Sequence, residues 1–271
     1  MTPNARWRAA SIHLGLCGIL YVVLLYPILF HWYPQPYFAT DGGWQGLALI
    51  TGVDLVLGPL LTLIVFKPGK PGLRRDLTLI GILQTVAIIW GTWIVYDQRI
   101  VMVAYADGIY YTLTQEQLNN VGGKAVRVAE QGETIPPYGY IRIPTEPTER
   151  RKFIIQKSLR ESTPLLYLSD RYEPLGPSNL QEVLTGSLDI APYTAKNEGN
   201  RREVERFLAR HGGSLEDYAF MPLYSRYHLY QPPLVAVRRV DGLPFDTLEI
   251  DRKPPKVNNP AEQTAPPPPA K

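Results

Sequence analysis

Asp54 is the residue whose type and setting most invite a chemical reading. It lies in GVDLVLGPLLTLIVF (52–66), a stretch with no other charged side chain. A carboxylate near the centre of a membrane-spanning helix costs about 2.5–3.5 kcal/mol on insertion scales, so it is expected to face neighbouring helices rather than lipid. Four residues later comes Gly58-Pro59. Proline has no N–H, so a break there leaves a carbonyl near position 55 free beside the carboxylate. A later apolar run supplies Gln84 and Thr85, and helical rise counted from the shared loop puts Gln84 about 6 Å from Asp54 in depth. Two readings follow. Either a protonated Asp54 bonds Gln84 or Thr85 and fixes helix packing, or Asp54, Gly58, Pro59, Gln84 and Thr85 form a polar pocket for a transmembrane helix of another protein.

A second concentration is DYAFMPLYSRYHLYQPP (217–233). Tyr and Arg are enriched at interface hot spots, which makes Tyr224, Arg226, Tyr227 and Tyr230 candidate partner contacts. The alternative is a core strand with tyrosines at its edge. Catalytic patterns are missing: the chain has no G-x-S-x-G, H-E-x-x-H, P-loop or G-x-G-x-x-G. His13 and His31 fall at opposite ends of one apolar run, while His211 and His228 have no Cys or carboxylate at ligand spacing. No catalytic residue, metal site or cofactor is expected, and the chain reads as a non-enzyme.

These residues need elements to hold them. The mean hydropathy of -0.12 averages two unlike parts of a 271-residue chain. Residues 1–96 contain three apolar runs, about 10–30, 44–66 and 77–96, each long enough to cross about 30 Å of hydrocarbon. The first is too long for a signal-peptide core and has no A-x-A site after it. Before Asp97 there are six Lys or Arg and three acids; from Asp97 onward there are 22 of each. The excess of +3 therefore belongs to the membrane part and gives no argument for nucleic-acid binding. Arg6 and Arg8 precede the first run, the loop 31–43 has no Lys or Arg, and the loop 67–76 has Lys67, Lys70, Arg74 and Arg75. By the positive-inside rule the N-terminus is cytoplasmic and residues 97–271 face outward, into the periplasm of a bacterium with two membranes. Trp32, Tyr33, Tyr37, Trp44, Trp93 and Tyr96 form an aromatic belt at that outer interface. Cys17, the single cysteine, leaves the outer domain without a disulfide.

After Tyr96 the pattern turns to period two. Strands are expected at 100–106 and 109–112 around an Asp107-Gly108 turn, with a helix start at Thr114 and a further strand at 125–129. An amphipathic helix is expected at 148–160, with Phe153, Ile154 and Leu159 inward. Another follows at 200–210, closed by Gly212-Gly213. Strands at 218–230, 234–240 and 247–250 complete an α+β extracytoplasmic domain over 97–252. The Pro-rich tail, 253–271, is expected to be disordered or polyproline II.

The block WQGLALITGVDLVLGPLLTLIVFKPGK (44–70), followed by RRDLTLIGILQTVAIIWGTW (74–93), resembles the TfpX/TfpZ-type accessory proteins of type IV pilins. The specific part is V-D-L-x-L-G-P-L-L-T-L-x-V-F, whose polar and helix-breaking positions no generic apolar stretch reproduces. The resemblance is strongest over about 10–112 and does not reach the tail. It implies three transmembrane α-helices with an extracytoplasmic domain, a bacterial inner-membrane location, and a chaperone-like role in stabilising or assembling a type IV pilin, the major subunit. Its expected partners are that pilin and the lipid bilayer, with no nucleic acid. The alternatives are a membrane-bound pilin-modifying enzyme, for which the loop 31–43 offers only His31 and Asp41, and a periplasmic receptor, for which only short segments face the cytoplasm.

Overall fold

The computed structural model describes residues 4–225 and 232–252. Three helices, Ala5–Trp32, Gly43–Val65 and Leu73–Asp97, are long and apolar enough to cross a membrane. Leu16, Ile19, Val22, Leu79, Leu83 and Ile89 point outward from them, as side chains solvated by lipid would. The chain is thus built as a multi-pass membrane protein. The first helix is α1 (Asn4–Pro27), extended by a π turn at Ile28–Trp32. A short α2 (Tyr37–Thr40) lies in the connection to the second helix. That second helix comprises α3 (Gly43–Thr51), a π stretch at Gly52–Leu57 and α4 (Gly58–Val65). The third is α5 (Leu73–Asp97).

The expected break at Gly58-Pro59 is absent. Pro59 lies inside the continuous helix Gly43–Val65, where the wider π turns of Gly52–Leu57 give way to α4, and the helix runs through it without interruption.

Beyond the membrane, β1 (Ile100–Ala106) and β2 (Ile109–Thr114) form a hairpin. Asp107 and Gly108 turn it with φ of 54° and 80°, the left-handed pair that a two-residue hairpin of type I′ requires. Thr114 then caps α6 (Gln115–Val121) in a reciprocal box with Gln117. Next comes α7 (Gly123–Gln131), where a strand was expected at 125–129. Its Ala125 and Val128 are buried at helical spacing, so the β-branched pair Val126 and Val128 was misleading.

After β3 (Tyr138–Ile141), α8 (Pro147–Ile154) continues as π turns at Ile155–Arg160. The expected inward face holds at Phe153, which packs against the core of β1, α6 and α7 with the Arg171 guanidinium over its ring, and is corrected at Leu159, which is 76% exposed. The remaining elements are β4 (Tyr172–Pro174), α9 (Leu180–Thr185), α10 (Ala191–Ala195), α11 (Glu198–His211), β5 (Tyr218–Tyr224), β6 (Leu234–Arg238) and β7 (Pro244–Leu248). Gly212 and Gly213 close α11, both with positive φ.

The strands make one mixed seven-stranded sheet in the order β4-β3-β1-β2-β5-β6-β7. Alternation divides its side chains between two faces. Met102, Ala104 and Ala106 of β1 pack with Leu118, Val121, Ala125 and Val128 of α6 and α7. On the same face, Phe220, Leu234 and Ala236 pack with Val204 and Phe207 of α11. Val103, Tyr105, Tyr110, Met221 and Val235 turn to the other face, where Val183 of α9 and Tyr37 of α2 meet them. The sheet core is therefore closed in part by a residue from the membrane region.

Candidate functional site

Asp54 occupies the π stretch of the second helix and is 3% exposed, so it faces the helix bundle and not lipid. Gln84 of α5 packs directly on Gly58: a Cβ built there would collide with Gln84 Nε2 and push the amide end of Gln84 aside. Gly58, Pro59 and Thr62 are buried along the same seam. From the first helix, Cys17 lies beside Asp54 and Gln84, and His13 Nδ1 is 2.6 Å from Thr62 Oγ1. The expected Asp54–Gln84 bond is not made. Asp54 Oδ1 and Gln84 Nε2 are both buried without a well-formed hydrogen bond among the described residues; what the Gln84 amide meets there is the Cys17 thiol, a weak acceptor. Thr85 does not belong to the seam at all. It is exposed on the outer face of α5, and its Oγ1 donates to the Gly81 carbonyl of its own helix at 2.8 Å. The structure thus brings together Asp54, Gly58, Pro59 and Gln84 and excludes Thr85.

A second polar cluster escaped sequence reading. The connection between the first two helices inserts into the sheet domain. Tyr37 is fully buried, and its hydroxyl donates to Tyr138 Oη at 3.0 Å. Asp41 is 6% exposed; Thr112 of β2 donates to its Oδ1 and Thr40 to its Oδ2, each at 2.6 Å. Ser225, just past β5, donates to the Thr40 carbonyl at 2.9 Å. Burial pushes the Asp41 carboxyl up to about 6, and the two hydroxyl donors pull against that rise. Tyr33 donates to the Val95 carbonyl at 3.0 Å, and Trp32 meets Tyr96 edge to face, joining the first and third helices at the same level. Gly43 lies so close to Phe38 that any side chain there would force α2 away from α3. The spacing signal for this dock is nil, because its partners lie 71 and 185 residues apart in sequence.

Of the Tyr/Arg segment, Tyr224 ends β5 half-buried and stacks on Tyr111 with ring centroids 5.8 Å apart. Arg226, Tyr227 and Tyr230, like His228 and the tail 253–271, lie outside the described residues. His211, which sequence spacing left isolated, meets Asp246 at 2.8 Å, a carboxylate supplied from β7.

No protein-family model matches the chain, and no solved structure matches it. Curated relatives do. It is 36% identical over 101 residues to a fimbrial assembly protein of Dichelobacter nodosus, serogroups C1 and C2, covering 36% of this chain and 76% of that protein. The chain belongs to the fimbrial assembly protein family. Two further members from the same organism match over most of their length. The serogroup E1 protein is 27% identical over 230 residues and the serogroup I protein 26% over 229, each covering 80% of this chain and 86% of the relative. Matches of that extent cannot fit within the membrane helices or the sheet domain alone, so these relatives share both parts.

Proposed function

We propose that this protein is a non-enzymatic, chaperone-like helper in the bacterial inner membrane, which holds a type IV pilin, the major subunit, and supports its assembly into pili. The observation that carries this reading is the kinship with fimbrial assembly proteins across both the membrane helices and the outer domain. The architecture supports it: a partner held in the membrane by one helix, with a head outside, could be met by both parts of this chain at once. In this reading the N-terminus is cytoplasmic and the sheet domain periplasmic, in keeping with the Lys and Arg of the loop 67–76 and their absence from 31–43. The pilin helix contacts the second and third helices near Asp54, Gly58, Pro59 and Gln84. The pilin head contacts the outer domain, through Tyr224 and the adjoining Arg226, Tyr227 and Tyr230.

The test is in-membrane crosslinking and co-purification with the pilin of the same organism. Capture of unassembled pilin is expected. Its absence in cells where both proteins accumulate would overturn the reading. Deletion of the protein is expected to reduce piliation and leave the intact mass of the pilin unchanged; a changed mass would instead favour a pilin-modifying enzyme.

A further inference from the structure

The unpaired atoms at the Asp54–Gln84 seam define what would complete it. Asp54 Oδ1 calls for a donor and Gln84 Nε2 for an acceptor, and both side chains are more than nine-tenths buried. Apolar residues of similar size would fill this space and strand no polar atom, so packing alone does not account for the pair. An ammonium only donates and cannot answer Gln84 Nε2, and a carboxylate only accepts and answers Asp54 Oδ1 only where that oxygen carries the carboxyl proton. A hydroxyl, a carboxamide or a protonated carboxyl offers both.

The seam is covered from the first helix by Cys17. The first helix packs along α4 but turns most of its surface outward: 11% of its apolar window is buried, against 28% and 22% in the second and third. Gly15 and Gly18 in the first helix, Gly52 ahead of Asp54 and Gly81 ahead of Gln84 have nothing within 4 Å of where a Cβ would stand. Bare backbone of this kind allows a further helix to approach closely.

We propose that the seam is completed by a side chain offering donor and acceptor together, carried on a transmembrane helix of the partner, and that the first helix yields to admit it. The inference rests on the pilin reading and states what the membrane segment of the pilin must present.

The experiment uses the full-length protein with its pilin in native membranes. Asp54→Leu and Gln84→Leu are each expected to lower the captured pilin by about tenfold or more, the scale of one buried hydrogen bond. Replacing the matching polar side chain of the pilin by Leu should give the same loss, with no further loss when combined with Gln84→Leu. A second arm keeps Asp54 and Gln84 in place: His13→Cys with Thr62→Cys, in a Cys17→Ala background that adds no polar group to the seam, ties the first helix to the second on oxidation. Capture should be lost in the oxidised form and return on reduction. Because both forms share one sequence, misfolding cannot produce that difference. Undiminished capture by the oxidised form, or by seam variants that accumulate normally, would overturn this inference and leave the functional reading standing. Failure of the unaltered protein to capture pilin would overturn the functional reading itself.

Discussion

At Asp41, burial and hydrogen bonding act against each other, and the outcome is a pH dependence. The folded carboxyl titrates near 6, above its ordinary value of 3.8. The folded state therefore binds the proton more tightly than the unfolded one. The stability this gives is fully present below the unfolded value and is lost as pH rises through about 6. A shift of about two units corresponds to at most about 3 kcal/mol. Hydrogen exchange of 33–42 in detergent, corrected for intrinsic rates, should accelerate between pH 5 and pH 7.5. Asp41→Asn should flatten that response, and an unchanged response in Asp41→Asn would refute the assignment. Asp41 was legible in the sequence only as a lone acid in an outer loop, since nothing local announces Thr112 or Ser225. Asp54 and Gln84 were legible because each is a polar residue in an apolar run. Thr85 misled because one helical step, about 100°, takes it from the seam to the lipid face.

At the scale of elements, local chemistry was read well and compact packing less so. The Asp107-Gly108 hairpin and the Thr114 cap are written in neighbouring residues, and both are where the sequence places them. Thr114→Ala is expected to lower the stability of the outer domain by about 0.5–2 kcal/mol in chemical denaturation. The helix α7 was misread because a nine-residue segment with two valines satisfies strand and helix patterns alike; the helices and strands around it decide the outcome. Strands β3 and β4, of four and three residues, are too short to carry a periodic signal. Leu159 was placed inward on helical spacing, yet the π turns at Ile155–Arg160 shift the register and turn it outward. Leu159→Lys should therefore change stability by no more than about 0.5 kcal/mol. Tyr37→Ala, by contrast, removes a fully buried ring and its bond to Tyr138, and a cost of about 3–5 kcal/mol is expected, read as lost protease resistance of the 33–42 connection.

For the whole molecule, the docked connection means that residues 33–42 and the sheet domain share one side of the membrane, while the loop 67–72 lies on the other. On a Cys17→Ser background, a membrane-impermeant thiol reagent applied to spheroplasts should label Val240→Cys, 79% exposed, and should leave Gly69→Cys unlabelled until the membrane is permeabilised. The reverse pattern would invert the orientation. The same dock bears on how the protein is made. Synthesis proceeds from the N-terminus, so Tyr37 and Asp41 are made long before Thr112, Tyr138 and Ser225. Until then a fully burying tyrosine and a carboxyl wait in water with nothing to receive them. A chain cut short before Ser225 lacks part of the cover that a finished chain gives that connection. The dock is thereby complete only in a molecule made through Ser225.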